Sequence, residues 1–188
     1  MGFKGFVTGS IGNGDSVVSA GTAGAIDVVA GSDAVATANG ASGGVIRDHL
    51  GNMVAAYASN LRDNTVTQVE GMALLWGLKM ANSIGIKHLK IEGDSRIIID
   101  YIKGNASAGW RVEPILRDIR YFLVKMKDFT ICHIFREGNR ATDSMAAEGR
   151  LQNGLRCWRD SNLLPITIKE ILEKEKAFSK ERTTPSAQ

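Results

Sequence analysis

Three carboxylates stand where predicted strands or helices begin or end: Glu70, Asp94 and Asp143. Side chains at such positions can meet at one edge of a sheet, where carboxylates repel one another unless cations neutralise them. Magnesium is the suitable ion, because it prefers oxygen ligands and also binds substrate phosphates. Two such ions, about 3.5 to 4 Å apart, would hold the attacking water and the leaving oxygen of a phosphodiester. The three residues therefore predict metal-dependent nuclease chemistry.

Each carboxylate also has a purely structural interpretation. Glu70 completes a Thr-x-x-Glu capping box, TQVE, for a helix that begins after Thr67. Asp94 lies between a strand and a helix, where it can cap the helix. Asp143 falls one turn into a helix, and its structural alternative is an exposed surface residue. Residue type and spacing leave both interpretations open for all three.

The elements that must position the carboxylates follow from the spacing of apolar residues. Apolar residues three and four apart predict a helix over 65–83, and VIRD and MVAAYA on either side of DHLGN predict a β-hairpin. The other predicted elements are strands at 25–30, 88–93 and 128–137 and helices at 94–105, 114–126 and 139–149. Because parallel strands need helical crossovers, this order predicts an α/β fold with a mixed, roughly five-stranded sheet and helices on both faces.

The 188 residues suffice for one domain with tails. We expect the domain at 25–149. Residues 1–24 are rich in Gly, Ser and Ala and are expected to form a flexible lead-in. Their run GSIGNGDS lacks the Gly-Lys-Ser/Thr ending of a phosphate-binding loop. Residues 150–188 are expected to form a tail, in which 166–181 can make a charged helix outside the domain.

Charge and cysteine content narrow the possible partners and compartments. The formal net charge of +3 permits a polyanionic partner without requiring one. Cys132 and Cys157 lie in no CxxC or His-rich motif, which argues against a disulfide framework or a zinc site and favours a reducing compartment. Apolar runs long enough for a signal peptide or a membrane span are not seen. We expect a soluble intracellular protein, in the nucleus or the cytoplasm, with no membrane partner and a monomer by default.

Three segments together carry a resemblance to a known family: GASGGVIRDHLGN, TQVEGMALLWGLKMANSIGIKHLKIEGDSRIIID and HIFREGNRATDSMA. They resemble the ribonuclease H-like domain common in plant proteins and retroelements, over about 25–149. The resemblance implies three antiparallel strands followed by two parallel ones, with helices on both faces. It also implies an RNA–DNA hybrid or structured nucleic acid as partner, and cleavage of the RNA strand with two Mg²⁺ ions or with Mn²⁺.

By this resemblance, Glu70, Asp94 and Asp143 match metal-ligand positions. A fourth ligand, an aspartate that bridges both ions in the family, belongs before Gly-Ser at the end of the first strand. The chain has Ala30 there, in VVAGSD. The resemblance therefore implies a ribonuclease H-type endonuclease whose hydrolysis is impaired.

Two other acidic residues lie close to the missing ligand in sequence. Asp27 and Asp33 are each three residues from Ala30. Asp27 has the opposite strand parity and Asp33 lies beyond the turn, so neither replaces the ligand unless the strand register shifts. The alternative function is a non-catalytic module on the same fold that binds nucleic acid or another protein.

Basic and aromatic residues are candidates for contact with nucleic acid. Arg136, Asn139 and Arg140 precede the last carboxylate and can meet phosphates, although a solvated loop explains them equally well. Trp110 and Arg111 open a helix and can stack on or pair with nucleic acid, while a packing anchor is the alternative for the tryptophan.

Two further residues are assigned structural roles. His133 alternates with apolar neighbours on a strand and is expected to be a structural histidine. Trp76 belongs to the apolar stripe of its helix and is expected in the core.

Overall fold

The computed structural model describes residues 26–33, 40–134 and 140–183, with side chains described for 40–134 and 140–177. The strands are β1 (Ile26–Asp33), β2 (Ala41–Arg47), β3 (Met53–Asn60), β4 (His88–Gly93), β5 (Asp128–His133) and β6 (Leu155–Trp158). The helices are α1 (Val66–Ser83), α2 (Arg96–Lys103), α3 (Glu113–Val124), α4 (Arg140–Gly149) and α5 (Ile166–Thr183), and a 3-10 turn spans Ser161–Leu163. The predicted lead-in at 1–24 lies outside the described residues.

The described strands form one mixed sheet in the order β5-β4-β1-β2-β3-β6. Strands β1, β2 and β3 are antiparallel neighbours, whereas β4 joins β1, and β5 joins β4, in parallel. The prediction of three antiparallel strands followed by two parallel ones is confirmed. Strand β6 adds a sixth, antiparallel to β3, from a segment that the sequence suggested was a tail.

The predicted hairpin joins β2 to β3, and its turn is closed by Asp48. The Asp48 carboxylate accepts hydrogen bonds from the backbone N–H groups of Leu50 (2.9 Å) and Asn52 (2.8 Å). Gly51 has φ 78°, a left-handed conformation that glycine adopts without a steric penalty. Burial alone would raise the pKa of Asp48, but these hydrogen bonds and one from the Asn52 side chain together lower it. The DHLGN turn is therefore closed by contacts within the segment itself.

Both faces of β2 are buried, which divides the core in two. Ile46 faces a first core, which α1, α2 and α3 cover, while its neighbour Val45 faces a second core beneath α4 and α5. Successive residues of a strand point to opposite faces, so one strand serves both cores. Fully buried residues of the first core include Tyr57, Leu78, Ile91, Leu116 and Ile119. Trp76, predicted in the core, is partly buried against it.

The second core extends beyond the predicted domain boundary at residue 149. Trp158 of β6 and Ile168 of α5 are each 3% exposed and pack with Met145 of α4. Leu164 and Leu172 join the same cluster. The expectation of a separate tail therefore differs from the structure, because apolar residues after 149 complete the cover of one sheet face.

Candidate active site

Glu70 lies in the second turn of α1 and is half-buried. The helix begins two residues earlier than TQVE suggested, with Thr65 as the N-cap. The Thr65 hydroxyl accepts from the Gln68 backbone N–H (3.3 Å), and the Gln68 side chain accepts from the Thr65 N–H (3.0 Å). The capping box is therefore Thr65 with Gln68, and the structural interpretation of Glu70 as the partner of Thr67 is wrong. This leaves the Glu70 carboxylate available for the site.

Asp94 follows directly after β4, and the helix-capping role that the sequence allowed for it belongs to its neighbour. Ser95 is the N-cap of α2, and its hydroxyl accepts from the Ile98 backbone N–H at 3.4 Å. The same hydroxyl donates to Oε2 of Glu70 at 2.7 Å. Glu70, Asp94 and Ser95 line one small pocket, whose apolar wall includes Ile91 and Ile131. The pocket thus places two of the three candidate carboxylates together.

The electrostatics of Glu70 reflect this arrangement. Burial raises the pKa of Glu70, the hydrogen bond from Ser95 lowers it, and the negative charge of Asp94 raises it again, so that the net direction is upward. Two carboxylates close together in a half-buried pocket repel each other, and a bound cation would reduce this repulsion.

The backbone register places residue 30 beside this pocket. Ala30 of β1 pairs with Gly93 of β4, the residue before Asp94, and with Gly44 of β2 on its other side. A Cβ atom at Gly44 would lie 2.1 Å from the hydroxyl oxygen of Tyr57. That hydroxyl donates to the carbonyl of Ala73 in α1, one turn after Glu70, at 2.6 Å. Because residue 44 is a glycine, the Tyr57 ring has room to cross it and to link the sheet to α1. This link lies at the level of the sheet where Ala30 pairs with Gly44.

The register also locates the two alternative aspartates. Asp27 pairs with Arg47 on one side and Lys90 on the other, and it has the opposite parity from Ala30. Asp33 pairs with Ala41 at the far end of β1. In this register neither backbone position coincides with that of Ala30.

Asp143 lies in the first turn of α4 and is partly buried. This helix rests directly on β2, because a Cβ at Gly43 would lie 2.3 Å from the backbone nitrogen of Ala146. Within the described part of the chain, no three His, Cys, Asp or Glu side chains are grouped so that they could hold a metal ion. The structure thus brings Glu70 and Asp94 together, and Asp143 does not complete a cluster of three with them.

His133, for which the sequence suggested a structural role among apolar neighbours, is exposed at the end of β5. Its Nε2 lies 3.1 Å from the backbone carbonyl oxygen of Asp94. In the register, His133 pairs with Gly93, which in turn pairs with Ala30. Sequence reasoning missed this proximity and also the role of Ser95, because both depend on the pairing of β4 with its neighbours.

The candidate nucleic-acid contacts that the structure describes lie before α3 and at the start of α4. Trp110 is 80% exposed, so it is not a packing anchor, and the Arg111 guanidinium lies 5.0 Å from its ring centroid. Both residues precede α3 instead of opening it. Arg140 is exposed at the start of α4, while Arg136 and Asn139 fall outside the described residues.

The donor set fits one divalent cation better than two. Magnesium commonly binds one or two carboxylates and keeps waters or substrate phosphates as its other ligands. Glu70 and Asp94 supply such a pair, with the Ser95 hydroxyl orienting Glu70. An alanine at 30 offers no oxygen that could bridge to a second ion.

Solved structures of ribonucleases H share the fold of this chain. Ribonuclease H1 of Halobacterium salinarum superimposes with a TM-score of 0.63 and 23% identity, covering 67% of this chain and 97% of that one. LC11-RNase H1 in complex with an RNA/DNA hybrid gives a TM-score of 0.61 and 20% identity, covering 65% and 94%. At these identities the likeness establishes the fold alone.

The sequence gives the family. Residues 29–149 match the family described as "Reverse transcriptase-like", and the chain belongs to this family of ribonuclease H-like domains. An Arabidopsis thaliana protein called "Putative ribonuclease H protein" is 29% identical over 105 residues, or 56% of this chain. The chain spans only 17% of the length of that relative. No helix in the described ranges is long and apolar enough to cross a membrane.

Replacing Glu70 with glutamine should stabilise the protein at neutral pH. The pKa of Glu70 in the folded state is raised above its ordinary value of 4.5. Its contribution to folding stability is therefore fully present below pH 4.5 and is lost as the pH rises through the folded-state pKa, so that the ionised carboxylate destabilises the fold at neutral pH. We expect Glu70→Gln to raise Tm by about 2 °C at pH 7 and to leave it unchanged near pH 3.5. Thermal unfolding at both pH values measures this, with the exposed Glu170→Gln as control. A lower Tm at pH 7 would contradict the direction of the pKa shift.

Proposed function

We propose that this chain is a nucleic-acid-binding ribonuclease H-like domain that engages RNA–DNA hybrids and whose phosphodiester hydrolysis is impaired by Ala30. One observation carries the proposal. Residue 30 pairs with Gly93, next to the pocket that holds Glu70 and Asp94, and supplies no carboxylate to it. For any longer protein that contains this domain, we propose the same activity for the domain within it.

In this proposal Glu70 and Asp94 hold one divalent cation, magnesium or manganese, and Asp143 on α4 adds a ligand when the cation binds. A bound cation supplies charge stabilisation to a phosphodiester and lowers the pKa of its water. Ser95 orients Glu70 by its hydrogen bond of 2.7 Å. The half-buried pocket keeps the two carboxylates close, and the pKa of Glu70 is raised first by burial and, to a smaller extent, by the charge of Asp94.

The binding partner is proposed from exposed basic and aromatic side chains. Arg111 and Arg140 are exposed cations suited to phosphates, and Trp110 offers an aromatic face for a base or a sugar. A related fold, LC11-RNase H1, has been solved with an RNA/DNA hybrid, which supports the same class of ligand here. Hybrids have A-like geometry and 2′-hydroxyls, so recognition would depend on shape more than on base sequence.

A non-catalytic module is the second candidate, and one observation favours it. Among the residues with described side chains, no group of three potential ligands is present. Magnesium titration separates the two candidates. A metal site that uses Glu70 predicts that magnesium raises the Tm of the unmodified chain more than that of Glu70→Gln, whereas a purely structural acidic pair predicts equal effects.

Hydrolysis through Asp27 in place of Ala30 is disfavoured by the register. Asp27 pairs with the basic residues Arg47 and Lys90. The Arg47 and Lys90 side chains are ion-paired with Glu175 and Glu92. Position 27 also has the opposite strand parity from position 30, so the two positions face opposite sides of the sheet. A one-residue register shift would also move the alternating side chains of β1 to the opposite faces of the sheet.

Binding of a labelled RNA–DNA hybrid should weaken steeply with salt and depend little on sequence. If three phosphates are neutralised, affinity should fall roughly 40-fold between 50 and 200 mM monovalent salt. Arg111→Ala should reduce the slope of log affinity against log salt by about one. The control Arg156→Ala changes an exposed arginine on the edge strand β6 and should leave the slope unchanged. Salt-independent or strongly sequence-selective binding would contradict the proposed mode.

A further inference from the structure

The C-terminal helix α5 supplies a carboxylate to the first turn of α4. Oε1 of Glu175 accepts a hydrogen bond from the Ala141 backbone N–H at 3.0 Å, and Oε2 pairs with the Arg47 guanidinium of β2. The first N–H groups of a helix have no acceptor within the helix, and the helix dipole favours a negative charge there. One side chain thus connects α5, α4 and β2.

Packing holds this carboxylate in place. The Arg47 and Glu175 side chains are only 12% and 21% exposed. Helix α5 is anchored two turns earlier by Ile168 and one turn earlier by Leu172, which are 3% and 6% exposed in the second core. Because its own helix is fixed, Glu175 can determine where the first turn of α4 lies.

That turn carries the third candidate carboxylate. Ala141 lies two residues before Asp143, and the Ala141 and Met145 side chains on either side are 1% and 0% exposed. A displacement of the first turn relative to the sheet would therefore move Asp143 relative to Glu70 and Asp94.

We propose that Glu175 is a positioning residue for the metal site, acting through Ala141 to place Asp143. This inference rests on the proposed function. Residues 29–149 match the family model, so Glu175 lies in a segment beyond the match. The C-terminal segment of this chain is thereby assigned a role in the site in addition to covering the second core.

The test uses the full chain carrying Ala30→Asp and compares Glu175→Met with Glu175→Gln. Methionine keeps the packing but has no oxygen acceptor, whereas glutamine retains an oxygen for the Ala141 N–H. We expect Glu175→Met to weaken Mg²⁺ affinity, measured calorimetrically without substrate, and to lower kcat by about tenfold each. Glu175→Gln should restore most of both, and KM for the hybrid should change little. Amide hydrogen exchange at Ala141 should be faster in Glu175→Met than in Glu175→Gln.

Glu173→Met is the matched control, since Glu173 lies on the same helix with its side chain 75% exposed. It should match the Ala30→Asp parent in all measurements. If Glu175→Met proves too unstable to assay, Glu175→Asp keeps the charge on a side chain one methylene shorter, and the same loss of Mg²⁺ affinity is expected. Unchanged Mg²⁺ affinity and kcat in a folded Glu175→Met or Glu175→Asp variant would overturn this inference alone. An Ala30→Asp chain that binds no Mg²⁺ would overturn the proposed function together with it.

Discussion

Replacing Ala30 with aspartate is expected to give a chain that cleaves the RNA strand of an RNA–DNA hybrid with magnesium. Residue 30 pairs with Gly93, the residue before Asp94, and with Gly44. Both sheet neighbours are glycines, so neither contributes a side chain that competes for this position. A bridging carboxylate would then allow two cations to bind together, as two-metal hydrolysis requires.

The expected gain is large because the missing group acts on charge in the transition state. A correctly held metal ion contributes several kcal/mol, so the rate should rise by roughly a thousandfold over the unmodified chain. Single-turnover cleavage of a labelled hybrid measures this. Ala30→Asn is the matched control, since it has nearly the same shape without the charge and should remain close to silent.

Two further changes test the other ligands in the Ala30→Asp background. Asp94→Asn and Asp143→Asn should each abolish most of the gain, because each removes a separate proposed ligand. A folded, hybrid-binding Ala30→Asp chain that stays inert would refute the assignment of position 30. Equal cleavage by the unmodified chain would refute it as well.

Removal of everything after residue 149 is expected to destabilise the domain severely. The truncation deletes Trp158, Leu164, Ile168 and Leu172, all of which are buried against α4 and the sheet. Loss of a single buried Leu or Ile side chain typically costs about 2–5 kcal/mol, whereas the total stability of a domain is about 5–15 kcal/mol. Chemical denaturation should therefore show a cooperative transition for 25–188 and a weak or absent one for 25–149.

One pair of isoleucines provides a milder test of the same packing. Ile168 is 3% exposed and Ile166 is 64% exposed on the same helix. Ile168→Ala should lower the free energy of unfolding by about 2–4 kcal/mol, and Ile166→Ala by no more than about 0.5 kcal/mol. A fragment 25–149 as stable as the longer chain, or equal effects at the two isoleucines, would mean that α5 does not stabilise the domain.

The local elements could be read from the sequence because each has a local cause. The DHLGN turn closes through Asp48 and residues within four positions of it. The stop of α2 at Gly104 needs only a residue that tolerates φ 77°. Alternation of strands with helices then restricted the sheet to a mixed one, and the motifs around Glu70, Asp94 and Asp143 identified the family.

Contacts between distant segments were decided by the tertiary structure alone. TQVE fits a capping box, yet Thr65 and Gln68 form it, which leaves Glu70 to receive the Ser95 hydroxyl from 25 residues away. The local pattern of residues 155–172 does not predict that they pack on the domain. In the structure, β6 pairs with β3, and Leu164, Ile168 and Leu172 cover the second core. Sequence patterns report the preferences of neighbouring residues, whereas hydrogen-bond partners and buried faces depend on which distant segments the fold brings together.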